Sequence, residues 1–224
     1  MKVRLRKILR MMIGFALLGL GTMISKQAGG LNPWNVLNDG MTHVLPITIG
    51  RANQIVGVII ICIDILAREH LGIGTVLNAI FIGTFSDLFL NLNAKLGLVP
   101  KVTSLPLQLP LWLLAGVISG FGIYYYMSAE MGSGPRDSLM LAVTRRVPFQ
   151  VGMCRMALEA MAFLVGALLG GEFSIGTFIS VAIGGPILQT ICKLTGFDVK
   201  KIHNESFAET WAFLKGWMKD RKNA

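Results

Sequence analysis

At 224 residues the chain has room for one ordinary domain, yet 53% of it is hydrophobic, only 15% is charged, and its mean hydropathy is +0.62. That balance excludes a water-soluble domain and asks for a surface that faces lipid. The net charge of +9 does not call for nucleic acid, because the basic residues crowd the two termini, where positive charge holds chain ends on the cytoplasmic side.

Apolar stretches near the length a bilayer needs recur at about 11–25, 52–67, 73–86, 107–127, 160–170 and 175–191, the second interrupted by Asp64. The first follows Lys2, Arg4, Arg6, Lys7 and Arg10, as a signal peptide would. The residues after it, Ser25 to Gly30, make a poor cleavage site, so it is kept as the first helix. The predicted order is a long helix over 8–28, a Gly-Pro break, a short segment over 33–45, and two helices over 49–67 and 73–92. The same series returns at 107–128, 135–147, 150–170 and 175–193, followed by a tail over 194–224.

The return is a repeat. At an ungapped offset of 102 residues, Gly14 falls on Gly116, Gly30 on Gly132, Pro33 on Pro135, Thr42 on Thr144, Pro46 on Pro148 and Gly50 on Gly152. Ile73-Gly74-Thr75 falls on Ile175-Gly176-Thr177, and Gly83 on Gly185. Most matches are glycine and proline, so what is duplicated is backbone shape and close helix approach. Repeat unit one takes 1–106 and unit two 107–193.

Thirteen residues of helix span about 20 Å against a hydrocarbon core of about 30 Å, so neither short segment is long enough to cross. The first carries Asn35, Asn38, Asp39 and Thr42 on one face. Three crossings per unit is an odd number, which turns the second copy upside down. The expected fold is an all-α membrane protein of six transmembrane helices in two inverted three-helix repeats, each with a short re-entrant or interfacial helix. Both termini are then cytoplasmic, and Lys26, Lys95 and Lys101 are the external basic residues. An eight-span arrangement satisfies the charge rule about as well; length and polarity favour six.

Both short helices open with proline at the first helical position, after Gly30-Leu31-Asn32 and Gly132-Ser133-Gly134. Two readings follow. Their free N–H groups receive a polar group of a solute at membrane depth, with Arg136 strengthening the second; or the segments rest at the interface, Trp34 as an aromatic anchor and Arg136-Asp137 as a solvated pair. Intramembrane charge adds Arg51, Asp64, Asp87, Arg155 and Glu159. Arg155 and Glu159 stand four apart on one helix face and can pair. Arg51 and Asp64 are read as lying near helix ends, reaching for headgroups. Asp87 and its counterpart Gln189 place a polar group at one position of both third helices. Thr75 and Thr177 open those helices, where packing is the default role.

The candidate solute site is therefore Asn32, Trp34, Asn35, Asp87, Arg136, Asp137, Arg155 and Glu159, gathered between the repeats. Cys62, Cys154 and Cys192 lack metal-ligand spacing and read as buried packing residues; His43, His70 and His203 form no metal set, and Gly132-Ser133-Gly134 is not a nucleophile elbow. No catalytic activity, metal or cofactor is expected. In the tail, Phe207, Trp211, Leu214 and Met218 share a stripe beside Lys215, Lys219, Arg221 and Lys222, as in a helix lying on the inner membrane surface.

The runs Gly29-Gly30-Leu31-Asn32-Pro33-Trp34-Asn35-Val36-Leu37 and Gly72-Ile73-Gly74-Thr75, together with Asp87, and the run from Gly132 to Met140 that contains Gly134-Pro135-Arg136-Asp137, resemble the YczE/YyaS/YitT family of bacterial membrane proteins. The likeness covers roughly residues 8–193 and is greatest to the YczE branch, which lacks an appended soluble domain. It implies a bacterial cytoplasmic membrane location and no activity. The expected function is a small-solute transporter or permease, with a channel as the second transport reading. The alternative is a non-transporting scaffold or regulator that binds a protein. Expected partners are the lipid bilayer and an unknown small solute or ion, with no nucleic acid; a homo-oligomer is left open.

Overall fold

The computed structural model describes residues 2–69, 71–149, 151–197, 204–212 and 215, and among them every regular element is helical. The elements are α1 (Lys2–Gln27), α2 (Pro33–Val44), α3 (Ile49–Leu66), α4 (Ile73–Leu96), α5 (Leu105–Met127), α6 (Pro135–Thr144), α7 (Val151–Leu168) and α8 (Ile175–Thr195). Five are long and apolar enough to cross a membrane: α1 over Val3–Gln27, α3, α4, α5 and α8. The short segments are helices of 12 and 10 residues, each with its proline in the first turn.

The centre is the seam between α1 and α5. Lys7 meets Glu130, Arg10 donates to the Tyr124 hydroxyl, and Met11 and Phe15 bury against Tyr126. Further along, Met23 and Ile24 pack on Ala115, and Ala28 accepts from the Trp112 indole at 3.0 Å. Rising numbers on α1 meet falling numbers on α5, so the first helices of the two units run antiparallel. Glycine permits the approach: a Cβ on Gly14 would stand 2.7 Å from the Gly122 carbonyl, and one on Gly122 2.9 Å from the Gly14 carbonyl.

The remaining packing comes in matched pairs. Helix α1 packs along α4 and α5 along α8; α2 packs on α7 and α6 on α3; α2 also meets α3, and α6 meets α7. The Gly-Pro breaks interlock across units. The break of unit two docks on the start of α4, where the Gly74 N–H donates to the Met131 carbonyl and the Thr75 hydroxyl to the Ser133 carbonyl, both at 2.7 Å. The break of unit one docks on the start of α8, through the Ser174 hydroxyl and the Gly29 carbonyl. Thr75 and Thr177 also accept at helix starts, from the Gly72 and Ser174 N–H groups, so their role includes capping as well as packing.

One pair breaks the match. Helices α3 and α4 are closely packed: a Cβ on Gly57 would stand 2.8 Å from the Ala79 Cβ, and Gln54 donates to the Ile80 carbonyl at 3.0 Å and the Thr84 hydroxyl at 3.1 Å. Gly50 and Gly83 face each other there. Helices α7 and α8 are not a closely packed pair among the described residues. Phe163 touches Phe173 and Phe178 at one end. A Cβ on Gly184 or Gly185 would meet nothing within 4 Å among the described residues.

In the tail, Glu205 binds Arg4 and donates its N–H to the Glu130 carbonyl, and Phe207 donates to the Leu71 carbonyl. Phe207 and Trp211 are exposed, with Lys215 over the Trp211 ring at 5.6 Å. Leu214, Met218, Lys219, Arg221 and Lys222 lie outside the described residues, as do His70 and His203.

Candidate functional site

The polar face of α2 turns inward. Asn35, Asn38 and Asp39 are buried, Asn38 completely, because α2 is wedged between α3 and α7 and presents this face to the bundle. Asn35 donates to the Thr22 hydroxyl of α1 at 3.1 Å. Asn38 donates to Asn35 Oδ1 at 3.4 Å and to Asn53 Oδ1 of α3 at 3.2 Å. The same Asn53 oxygen accepts from the Arg136 guanidinium of α6 at 2.7 Å. A chain of neutral polar side chains thus runs from the Thr22 hydroxyl of α1 through the amides of α2 and α3 and ends on a cation carried by the other unit. Asn38 Oδ1 is buried and has no hydrogen-bond partner among the described residues.

The Arg136 guanidinium stacks on Trp34, 4.8 Å from the ring centroid. Its single hydrogen bond goes to a neutral amide, which leaves most of its five N–H donors without an acceptor among the described residues. Neighbouring Asp137 does not close an ion pair with it; its carboxylate accepts from the Tyr126 hydroxyl at 2.6 Å. Arg155 and Glu159 of α7 pair with each other at 2.9 Å, with Arg155 59% exposed. Glu159 and Asp137 act on Arg136 at electrostatic range.

Trp34 also forms one wall of a cavity of about 690 Å³. The other walls come from α2 (Leu37, Met41, Val44), α3 (Val56, Ile59, Ile60), Leu139 of α6 and α7 (Leu158, Met161, Val165), so it lies between the units.

Of the eight residues anticipated from sequence, Trp34 and Arg136 are in contact, Asn35 joins Arg136 through Asn38 and Asn53, Asp137 and Glu159 act on Arg136 at electrostatic range, and Arg155 pairs with Glu159. Asn32 is the N-cap of α2, its side chain accepting from the Asn35 N–H at 2.9 Å. Asp87 is elsewhere: its carboxylate accepts from the Gly50 N–H at 2.8 Å and from the Thr48 hydroxyl, capping α3 from α4. Sequence reasoning passed over Asn53, Thr22 and Tyr126. Asn53 had a signal, standing with Gln54 as a pair of amides in a largely apolar helix.

Two further placements correct the expectations. Asp64 does not reach for headgroups; it is fully buried, with neither carboxylate oxygen bonded among the described residues, because α3 turns this position into the bundle. Cys62 is exposed on α3, whereas Cys154 is buried and Cys192 half-buried. Arg51 is exposed, as expected. A second charged cluster joins the units at the far end: buried Asp39 binds Lys26 at 2.5 Å and accepts from the Glu172 N–H at 2.8 Å, and Lys101 pairs with Glu172 at 3.2 Å.

Apolar helices around a buried polar chain define an integral membrane protein of the all-helical class. The chain belongs to a family of unknown function, DUF6198, whose model matches residues 5–193. Among similar proteins are an uncharacterized protein of Haemophilus influenzae, 30% identical over 180 residues, covering 80% of each chain. The uncharacterized membrane protein YczE of Bacillus subtilis is 29% identical over 172 residues, covering 76% of this chain and 77% of that one. The uncharacterized protein YyaS of the same organism is 28% identical over 179 residues, covering 79% and 88%. No solved structure matches the chain.

Proposed function

We propose that the protein is a secondary transporter of the bacterial cytoplasmic membrane, working by alternating access around the Arg136 site. In this reading α1, α3, α4, α5, α7 and α8 span the bilayer as two inverted repeats, α2 and α6 are re-entrant, and both termini are cytoplasmic. The antiparallel seam of α1 and α5 supports the inversion, since these helices hold the same place in their repeats. Burial of the α2 amides favours a re-entrant over an interfacial helix.

The observation that carries the reading is the unequal state of two equivalent helix pairs. Unit one closes α3 on α4, whereas among the described residues α7 and α8 of unit two are not closely packed, with Phe163 touching Phe178 at one end. The same backbone motif therefore holds two conformations in one molecule, and exchanging them between units would turn the opening to the other side. The gap between α7 and α8 lies toward the end of the bundle where α1 begins, the cytoplasmic side in this topology, beside Arg155. The closed α3–α4 face lies on the opposite side, held by Asp87.

Cysteines placed at Arg155 and Glu159 in a cysteine-free background test this with a membrane-impermeant maleimide. Labelling from the cytoplasmic face alone is the expected result. Thiols unreactive from both faces would describe a dry bundle and move the reading to a scaffold or regulator that binds a protein.

A further inference from the structure

The Arg136 site and the apolar cavity share a wall. Trp34 lines the cavity and carries the Arg136 guanidinium on its ring, and Leu139, one turn beyond Arg136 on α6, lines the cavity as well. A ligand held by the guanidinium therefore has the cavity as the adjoining space. The chemistry of the two parts differs sharply. The cation lacks a carboxylate in direct contact, donates one bond to a neutral amide and keeps N–H donors to spare, while Asp137 is engaged by Tyr126 and Glu159 by Arg155. The cavity walls are almost wholly aliphatic, and at about 690 Å³ the space is within the range of small-molecule sites.

We infer that the substrate is an amphiphilic anion, with a carboxylate or similar acidic head on Arg136 and Asn53 and an apolar body in the cavity between α2, α3 and α7. The inference rests on the transport reading for the word substrate; as a binding site it stands alone. Charge complementarity selects an anion, because a half-buried guanidinium without a counter-ion in contact gains most from an acceptor that is itself charged. The aliphatic walls select the body, since a small hydrophilic anion would leave them against water. Exposed Val44, Leu45, Ile59, Met161 and Val165 rim the cavity, so a ligand dissolved in the bilayer reaches it sideways.

The test is equilibrium quenching of Trp34 fluorescence by a dibrominated long-chain fatty acid, using the full chain in a non-ionic detergent and subtracting the signal of Trp34→Phe. The methyl ester of the same acid supplies the body without the charge, and acetate the charge without the body. Saturable quenching by the acid is expected, weaker by about tenfold or more for the ester, with no competition from acetate. Arg136→Gln should weaken binding of the acid by a similar factor, Arg136→Lys less, and Val165→Phe, which enlarges a cavity wall without adding a tryptophan, should block it by filling the cavity. Thermal unfolding of each variant separates lost binding from lost folding.

Equal quenching by acid and ester, unchanged in Arg136→Gln, would mean a groove filled by any bilayer chain and would overturn the inference. Competition by acetate as strong as by the acid would overturn it too, leaving a hydrophilic anion site. Neither result touches the labelling test of alternating access, so the two ideas fail separately.

Discussion

Asp87 holds the first turn of α3 from the neighbouring helix: its carboxylate accepts from the Gly50 backbone N–H at 2.8 Å and from the Thr48 hydroxyl. An anion at a helix N-terminus satisfies free donors and the local dipole together. Asp87→Ala should cost about 1–3 kcal/mol of stability, as for a lost hydrogen bond to a charged group. It should also raise the reactivity of a cysteine placed at Thr84, read by maleimide labelling, because the α3–α4 face loses its clasp.

The two charged clusters differ in burial, and their mutants should differ accordingly. Lys26 partners an Asp39 side chain that is 1% exposed, so Lys26→Met leaves a buried charge short of its counter-ion, a change worth about 3–5 kcal/mol. Arg155 is 59% exposed in its pair with Glu159, and Arg155→Met should cost no more than about 1 kcal/mol. Thermal unfolding of both variants in the same detergent ranks them.

Asp64 gives the opposite expectation for a buried carboxyl. With no hydrogen bond to either oxygen among the described residues, its side chain offers little for the fold to lose. Asp64→Asn, nearly the same shape without a group that ionises, should leave the melting temperature unchanged or raise it. A clear fall would mean that the carboxylate is doing something the asparagine cannot.

Glycines at related places should answer differently to one methyl group. A Cβ on Gly176 would stand 2.6 Å from the Trp112 indole nitrogen, so Gly176→Ala must displace a buried tryptophan and should destabilise by about 1–3 kcal/mol. Gly185 faces open space, and Gly185→Ala should stabilise α8 by about 0.5–1 kcal/mol in this state. Thermal unfolding reads both.

Much of the architecture was legible because proline and glycine carry it. Pro33 and Pro135 open the short helices, and helix bounds fall within about four residues of those predicted, except that α1 begins six residues earlier, at Lys2. Side-chain roles were less legible. The sequence distance from Asp87 to Gly50 hides a tertiary cap, and Asp64 and Arg51 look alike in a hydropathy profile although one faces the bundle and the other does not. The open and closed helix pairs were not legible at all, since Gly83 and Gly185 are the same letter in the same motif and only packing tells them apart.

Distances between spin labels test alternating access most directly. In a variant lacking Cys62, Cys154 and Cys192, one pair at Arg51 and Leu88 reports the α3–α4 face, and its repeat counterpart at Met153 and Thr190 reports α7–α8; all four positions are exposed. In lipid nanodiscs the account predicts two populations for each pair, moving oppositely: short α3–α4 with long α7–α8, and the reverse, with their ratio shifted by the dibrominated fatty acid. A single fixed distance for each pair, with and without the acid, would contradict it.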